Sequence, residues 1–315
     1  MAAITLLLPG QGAQAVGMGK AFYDRFEESR ELYKRANTRL GFDLTALCFE
    51  GPPEELTKTE RCQLALFVTS LAGYAAFRRA APSLAIQAAA GLSLGEITAL
   101  AAAEVFTFAD GLYLVQVRSE AMAACALSRP GSMLAVIGLG SEAIAELCQQ
   151  AGVTAANFNA ADQVVLSGPV PGIETAERLA KERGAKRAIR LEVAGAFHSA
   201  LMEPAAKTLG HALQKISLTP PRFPVISNVT ARPVETPDQV RELLVKQIVS
   251  PVQWDGSVRW LVQQGGRVFV EMPPARVLTG LLRRIDGPVK GIAVDDPADF
   301  ETVTAALAPQ PASPA

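Results

Sequence analysis

Short apolar runs alternate with longer segments of helical periodicity along the first part of the chain. Residues 4–8 are almost entirely apolar and are followed by Pro9 and Gly10, a pattern typical of a buried strand that ends in a turn. A second strand is predicted at 84–89, and it leads directly into the sequence Gly91-Leu-Ser-Leu-Gly95. Apolar residues at helical spacing predict helices at 21–40, 63–77, 96–105 and 108–126.

A compact series of short elements follows Arg129-Pro-Gly-Ser132, which is typical of a domain boundary. Its predicted strands span 133–139, 154–158, 163–167 and 186–193, and its predicted helices span 142–150 and 172–183. The order βαββαβ predicts a small ferredoxin-like subdomain over 131–197.

The main domain then comprises 1–130 and 198–308, while the Pro/Ala/Ser-rich tail 309–315 is expected to be disordered. In the second part of this domain, helices are predicted at 198–216, 240–249 and 259–264, and strands at 225–229 and 267–272.

Composition restricts the class of protein. Of the 315 residues, 49% are hydrophobic and 19% are charged, which is typical of a globular protein with a sizeable core. Thirty basic and 31 acidic residues leave no basic surplus, so non-specific nucleic-acid binding is not expected. The uncharged stretch 63–77 is shorter than the ~18 residues of a spanning helix, so we expect a buried helix there and no membrane segment.

The N-terminal sequence and the spacing of the cysteines predict a cytoplasmic protein. The apolar run at 4–8 has no basic residues before it, and we therefore expect no signal peptide. The four cysteines form no C-x-x-C pair, so they are expected to be reduced thiols, and no metal site is predicted.

Ser93 is the first candidate for chemistry. It lies in a G-x-S-x-G sequence between a predicted strand and a predicted helix, which is the context in which this motif holds a nucleophile. The backbone N–H of Leu94 could then stabilise an oxyanion at the start of the helix. The motif alone leaves a second interpretation open, in which Ser93 only caps the helix.

A serine nucleophile needs a base, and the chain has two histidines. His211 lies on an ordinary amphipathic helix, where a structural role is expected. His198 follows Gly195-Ala-Phe197 at the seam where the subdomain rejoins the main domain, and pockets form at such seams. His198 is therefore the predicted partner of Ser93.

Arg118 lies close to the apolar stripe of the helix predicted at 108–126. An arginine near a buried face requires a carboxylate partner, which could come from the protein or from a ligand. Pairing with Glu120 or another surface acid is the alternative. A basic series could face the phosphates of a coenzyme or an acidic partner protein, or it could be a solvated surface; its members are Lys181, Arg183, Lys186, Arg187 and Arg190.

Seven short motifs occur in order along nearly the whole chain. They are Pro9-Gly-Gln-Gly-Ala-Gln14, Gly91-Leu-Ser-Leu-Gly-Glu96, Arg118-Ser-Glu-Ala-Met122, Gly195-Ala-Phe-His-Ser199, Ser227-Asn-Val-Thr230, Gln247-Ile-Val-Ser-Pro-Val-Gln-Trp254 and Val277-Leu-Thr-Gly280. In this order the chain resembles the malonyl-CoA:acyl carrier protein transacylases, the acyltransferase family of fatty-acid and polyketide biosynthesis. One motif would be a weak signal, but seven in family order are strong.

The resemblance implies an α/β fold, with an α/β-hydrolase-like core on a parallel sheet and an inserted ferredoxin-like subdomain. Ser93 would be the acylated nucleophile, and His198 would be its base, oriented by the backbone carbonyl of Gln247. Gln11 and the Leu94 backbone would form the oxyanion hole. Arg118 would bind the free carboxylate of the malonyl group.

The same resemblance implies malonyl-CoA as a substrate and acyl carrier protein as a partner. No cofactor is expected, because the coenzyme A thioester is itself the substrate, and a monomer is expected. Phe197 is the bulky residue that this family associates with malonyl groups rather than C2-branched ones. The chain departs from the common pattern at Leu92, where many members have histidine, and at Glu271-Met-Pro-Pro274, where an acidic-Val-Gly-Pro run is usual.

Other functions stay open at this point. A plain esterase would need an acid between Ser93 and His198, where Asp110 and Asp162 are available. A proofreading hydrolase of acyl carrier proteins and the malonyl-loading subunit of a malonate decarboxylase would carry the same residues. A non-catalytic carrier-binding scaffold would not need the serine, histidine and arginine together.

Overall fold

The computed structural model describes residues 3–285 and 289–307, so the predicted disordered tail 309–315 lies outside the described residues. The ten strands of this part of the chain are β1 (Ala3–Leu8), β2 (Ala85–Gly91), β3 (Gly131–Ile137), β4 (Thr154–Ala160), β5 (Gln163–Pro169), β6 (Arg187–Arg190), β7 (Val225–Ile226), β8 (Pro233–Val234), β9 (Val268–Glu271) and β10 (Lys290–Ala293).

Helices connect and cover these strands. Within the described residues they are α1 (Lys20–Arg25), α2 (Glu27–Leu40), α3 (Leu44–Glu50), α4 (Pro53–Thr57), α5 (Thr59–Ala80), α6 (Leu94–Ala102), α7 (Phe108–Ser128), α8 (Ser141–Ala151), α9 (Val170–Glu182), α10 (Glu203–Leu213), α11 (Pro237–Gln247), α12 (Trp254–Gln263), α13 (Val277–Leu282) and α14 (Asp299–Leu307). None of these helices has the length and apolar character that a membrane crossing requires.

Six strands form the large sheet, in the order β10-β9-β1-β2-β7-β8. All neighbouring pairs are parallel except β7 and β8 at one edge. Along β1, Ile4, Leu6 and Leu8 belong to one apolar cluster, and Leu7 belongs to another. Alternate side chains of this central strand are therefore buried on opposite faces, which is why its sequence is apolar except for the buried Thr5.

A separate antiparallel sheet has the order β4-β5-β3-β6. Its own apolar cluster includes Leu134 and Val136 of the sheet, Ile144 of α8 and Ile173 of α9. This is the arrangement expected of a βαββαβ unit, and it confirms the predicted fold class, an α/β core with a ferredoxin-like subdomain. The exact bounds 131–197 of that subdomain stay a prediction.

Several predicted helices were wrong in their bounds; the helix predicted at 259–264, for example, begins at Trp254. The helix predicted at 21–40 is interrupted at Phe26, whose backbone is extended (φ −121°, ψ 127°). The helix predicted to begin at His198 begins at Glu203, after a 3₁₀ turn at Ala200–Met202. Pro204 has no backbone N–H to donate, so it belongs in the first turn of a helix rather than in its interior.

The strand predicted at 225–229 has two residues, Val225 and Ile226. After them the chain turns back, because the backbone N–H of Ala231 donates to the carbonyl of Ser227 at 2.9 Å. Asn228 lies in this turn, so its side chain is free to bond outside the sheet.

The two sheets meet beside the segment that follows α11. The backbone N–H of Val252 donates to the carbonyl of Ala156 at 2.8 Å, and the N–H of Phe158 donates to the carbonyl of Val252 at 2.9 Å. These bonds join the chain between α11 and α12 to strand β4 of the small sheet. This seam lies near the end of β2, because the backbone N–H of Gln253 donates to the carbonyl of Asn228 and the Asn228 side chain donates to the carbonyl of Gly91.

Candidate active site

Ser93 lies on a tight turn between β2 and α6. Its backbone is in an unusual conformation, with φ 55° and ψ −104°. A Cβ atom at Gly91 would lie 1.9 Å from the carbonyl carbon of Gly95, and one at Gly95 would lie 2.1 Å from the carbonyl oxygen of Leu8. Only glycine fits at both positions, so the two glycines are required to bring the strand, the turn and the helix together.

Asn228 holds this turn from the other side. The backbone N–H of Ser93 donates to the Oδ1 of Asn228 at 2.7 Å, and the Nδ2 of Asn228 donates to the carbonyl of Gly91 at 2.7 Å. One side-chain amide therefore binds the backbone on both sides of the turn. Such contacts are what an unusual backbone conformation needs in order to persist.

The serine and histidine side chains meet as predicted. The Oγ of Ser93 lies 2.8 Å from the Nε2 of His198, although the two residues are 105 positions apart. The Nδ1 of His198 lies 2.9 Å from the backbone carbonyl oxygen of Gln247. A carbonyl only accepts, so Nδ1 carries the proton and Nε2 is left to accept the proton of Ser93.

This geometry favours the nucleophile interpretation of the motif over the helix-cap interpretation, although the roles of the residues stay predictions. Ser93 makes no side-chain hydrogen bond as a cap of α6. Neither Asp110 nor Asp162 takes the third place of a triad, since Asp110 accepts from Thr107 and Asp162 pairs with Arg284. The backbone carbonyl of Gln247 instead occupies the position beside Nδ1 of His198.

Burial lowers the pKa of His198, which favours its contact with Ser93. The side chain is 4% exposed, and desolvation, reinforced by the nearby charge of Arg118, lowers the pKa of His198 to about 4. The imidazole is therefore uncharged at neutral pH, which is the form that can accept a proton.

Arg118 is fully buried on α7 and contacts the side chain of Ser93 directly. Its Nη2 donates to Ser93 Oγ at 2.9 Å and to Gln247 Oε1 at 3.1 Å, and its Nη1 donates to Gln63 Oε1 at 2.5 Å. All three partners are uncharged. Glu120, the alternative partner from the sequence, instead accepts from Gln116 on the surface.

The charge of Arg118 is modulated by a carboxyl group that it does not touch. Burial lowers the pKa of Arg118 to about 10, and the charge of Glu96 opposes that decrease. The guanidinium thus stays protonated at neutral pH. A buried cation with neutral hydrogen-bond partners is suited to bind an anionic group of a ligand beside the serine.

The predicted oxyanion residues flank the same turn. Leu94 is the first residue of α6, so its backbone N–H has no acceptor within the helix. Gln11 is half-buried in the turn after β1. That turn lies against the nucleophile loop, because a Cβ atom at Gly10 would be 2.3 Å from the carbonyl oxygen of Leu92. The roles of Gln11 and Leu94 as oxyanion donors stay predictions.

The remaining predicted residues divide into two groups. Phe197 is 5% exposed and precedes His198, and Leu92 is half-buried next to Ser93. In the basic series, Lys181 and Arg190 both pair with Glu177, and Arg183 pairs with Glu146. These ion pairs favour a solvated surface for that part of the series.

Three residues around the site had no assigned role in the sequence analysis: Gln63, Glu96 and Asn228. Gln63 is a buried amide at the start of an otherwise apolar stretch, and Glu96 is a buried acid in an apolar helix. A polar residue within an apolar run was the available signal. Within the described residues, no group of ligating side chains has the arrangement a metal ion requires.

Comparisons with known proteins identify the family of the chain. Residues 5–293 match the family model described as the acyl transferase domain. The chain therefore belongs to the acyl transferase domain family and is an acyltransferase.

Individual relatives are similar over their whole length. The malonyl CoA-acyl carrier protein transacylase of Bacillus subtilis is 40% identical over 306 residues, which cover 96% of each chain. The structure of acyl-carrier-protein-S-malonyltransferase from Bartonella henselae superposes with a TM-score of 0.93 at 36% identity, over 98% of this chain and 99% of that one. A malonyl-transacylase in complex with a type II PKS acyl-carrier protein gives 0.92 at 36% identity, over 96% and 99%.

Proposed function

We propose that this acyltransferase moves a malonyl group from malonyl-CoA to the phosphopantetheine thiol of an acyl carrier protein, through a malonyl ester of Ser93. The observation that carries the proposal is the guanidinium of Arg118, which is buried, has neutral partners and lies 2.9 Å from the Oγ of Ser93. Malonyl groups differ from acetyl groups in having a free carboxylate, which is the group that such a cation would bind. The names of the relatives support this substrate.

In the first half-reaction, the Oγ of Ser93 attacks the thioester carbonyl while Nε2 of His198 takes its proton. The carbonyl of Gln247 stabilises the imidazolium that forms, as its acceptor at Nδ1. The oxyanion binds to the backbone N–H of Leu94 and to Gln11, and such donors each contribute about 3–4 kcal/mol of transition-state stabilisation. The C–S bond then breaks, and coenzyme A leaves as a thiol with the proton returned by His198.

The second half-reaction reverses these steps. His198 takes the proton of the carrier thiol, the sulfur attacks the malonyl ester, and Ser93 leaves with the proton. Ping-pong kinetics follow from the shared site. Arg118 holds the carboxylate of the acyl group throughout, so the ester is positioned for the thiol rather than for water. The neighbouring structure with a bound acyl-carrier protein supports the identity of the acceptor.

Several finer points belong to the same proposal. The bulky Phe197 beside His198 favours malonyl over C2-branched acyl groups, and Leu92 lines the approach to the serine. The reaction uses no cofactor, because coenzyme A enters as part of the substrate. We place the protein in the cytoplasm as a monomer.

The test incubates the protein with malonyl-CoA and a panel of holo carrier proteins, and follows the carriers by mass spectrometry. Malonyl on a carrier supports the proposal, and the carrier that accepts it distinguishes a biosynthetic pathway from a malonate decarboxylase. Release of malonate without any malonyl carrier would instead support a hydrolase. In the variant Arg118→Ala, malonyl transfer is expected to fall far more than acetyl transfer; equal losses would exclude the carboxylate contact.

A further inference from the structure

The side-chain amide of Gln247 lies between Glu96 and Arg118. Its Nε2 donates to Glu96 Oε2 at 2.6 Å and to the backbone carbonyl of Ser93 at 3.0 Å. Its Oε1 accepts from Arg118 Nη2 at 3.1 Å. Gln247 therefore has two separable functions, since its backbone carbonyl contacts His198 and its side chain contacts Arg118.

Donors and acceptors in this chain of contacts can be arranged in one way only. Glu96 Oε2 already accepts from the backbone N–H of Asn228 at 3.0 Å, so it acts as an acceptor toward Gln247 as well. The amide must then present its NH₂ group to Glu96 and its oxygen to Arg118. A flipped amide would direct N–H groups at the guanidinium, where they have nothing to donate to.

We propose that Glu96 is a positioning residue for the carboxylate-binding function of Arg118, acting through the side-chain amide of Gln247. This inference rests on the proposed function, because it concerns the group that distinguishes malonyl from acetyl donors. The hydrogen bonds of the Glu96 side chain go to Asn228 and Gln247 and not to the side chains of Ser93, His198 or Arg118. Its effect is to fix the direction from which the guanidinium approaches Ser93.

The environment of Glu96 supports a function beyond packing. The residue is 1% exposed, and desolvation raises its pKa to about 7, although the bonds from Gln247 and Asn228 oppose this shift. Burying a carboxyl group costs free energy, which contacts at this one site offset. Oε2 receives two N–H donors, so it remains the acceptor whether or not the carboxyl is protonated.

Glu271 provides a matched control, because it is a second fully buried carboxylate in the same core. Its oxygens accept from the backbone N–H groups of Arg276, Leu278 and Thr279. It has no contact with the nucleophile, the histidine or Arg118 among its hydrogen bonds. Loss of Glu271 therefore measures what it costs to remove a buried acid without disturbing Arg118.

The experiment compares single-turnover acylation of the full-length protein by malonyl-CoA and by acetyl-CoA, below the unfolding midpoint of every variant. Glu96→Met, which has a similar length and no acceptor, is expected to lower the malonyl-to-acetyl ratio about tenfold, mainly through weaker malonyl-CoA binding. Glu96→Gln retains an acceptor oxygen and is expected to restore most of the ratio. Glu271→Met is expected to leave the ratio unchanged.

Two further variants keep the inference testable if Glu96→Met does not fold. Gln247→Leu preserves the carbonyl that contacts His198 and should lower the ratio as Glu96→Met does. In an Arg118→Ala background, Gln247→Leu should have no further effect on the ratio, because the group that the amide positions is gone.

The outcomes separate this inference from the proposed function. If the wild-type protein forms no malonyl ester, the proposed function fails. If the wild type forms the ester, three results would overturn the inference. The first is that Glu96→Met slows acylation by malonyl-CoA and by acetyl-CoA to the same extent, and the second is that Gln247→Leu leaves the malonyl-to-acetyl ratio unchanged. The third is that Gln247→Leu lowers this ratio as much in the Arg118→Ala background as in the wild type.

Discussion

Glu96 and Glu271 are buried to the same depth near the same end of the large sheet, yet their partners lie in different parts of the chain. Glu271 ends β9, and its oxygens accept four hydrogen bonds of 2.8 Å from residues five to eight positions further on. Glu96 lies in α6, and its partners Asn228 and Gln247 are 132 and 151 positions away.

The sequence separation of the partners indicates different functions for the two carboxylates. Glu271 stabilises local structure, whereas Glu96 connects distant segments at the site. The contacts of Glu271 complete the first turn of α13 and can form as soon as that segment orders. The contacts of Glu96 exist only when β2, the Asn228 turn and α11 have assembled. We therefore expect changes near Glu271 to alter stability, and changes near Glu96 to alter chemistry.

The largest effect, a loss of acylation rate, is expected for Gly95→Ala, next to Glu96 in α6. The new methyl group would meet the backbone of Leu8 and Pro9, which cannot move aside as a flexible side chain could. We expect acylation of Ser93 to fall about 100-fold or more, because the turn would be displaced by a fraction of an ångström to an ångström. Rapid-quench measurement of acylation checks this; a rate within threefold of wild type would contradict the role of the close approach.

Glu271→Met is expected to have the next largest effect, on stability rather than on chemistry. Three backbone N–H groups and the Thr279 hydroxyl lose their acceptor, at a cost of about 3 kcal/mol or more. Thermal unfolding should show a midpoint lower by several degrees, while the malonyl-to-acetyl ratio of transfer rates, measured below that midpoint, stays unchanged. A selective loss of malonyl transfer would remove the distinction between the two carboxylates.

The pH dependence of acylation tests the site that Glu96 adjoins, through the protonation of His198. Because burial lowers the pKa of His198 to about 4, the base stays uncharged as the pH falls below 6.5. The rate constant for malonyl-CoA is therefore expected to persist to about pH 5 and to fall only toward pH 4. The measurement is single-turnover acylation across this range, with circular dichroism to confirm folding; an acid limb centred near 6.5 would show that His198 is not desolvated.

Gly280→Ala should have the smallest effect and is the counterpart of Gly95→Ala. Gly280 is an exposed glycine of α13, and a Cβ atom there would meet nothing within 4 Å. Replacing it should stabilise the helix by roughly 0.5–1 kcal/mol and leave acylation unchanged. Thermal unfolding measured beside Gly95→Ala tests the pair; destabilisation would mean that α13 is constrained by contacts other than those of Glu271.

The sequence predicted the elements that have strong periodicity and the residues that lie in motifs. The strand at β1, the helix at α5 and the meeting of Ser93 with His198 were all foreseen from local patterns. The start of α10 was wrong because helical periodicity near His198 outweighed the signal of Pro204, and φ is 57° at His198 itself.

The functions of Gln63, Asn228 and the Gln247 side chain could not be predicted in the same way. Apart from the 3.4 Å contact between Gln247 and Asn228, which are 19 positions apart, their side-chain partners lie 55 or more positions away. Ser93 and His198 could be paired because the chain has only two histidines, but no comparable scarcity points to the partners of an amide. The sequence indicated only that polar residues interrupt apolar stretches. The identity of each partner required the assembled fold.

Mass spectrometry of the intact protein after brief exposure to malonyl-CoA, without a carrier protein, tests the central claim most directly. We predict one malonyl group per chain, located on Ser93 by peptide mapping, lost on addition of holo carrier protein and absent in Ser93→Ala. A wild-type protein that transfers malonyl to the carrier without ever carrying the ester, or one that carries it at another residue, would contradict the mechanism.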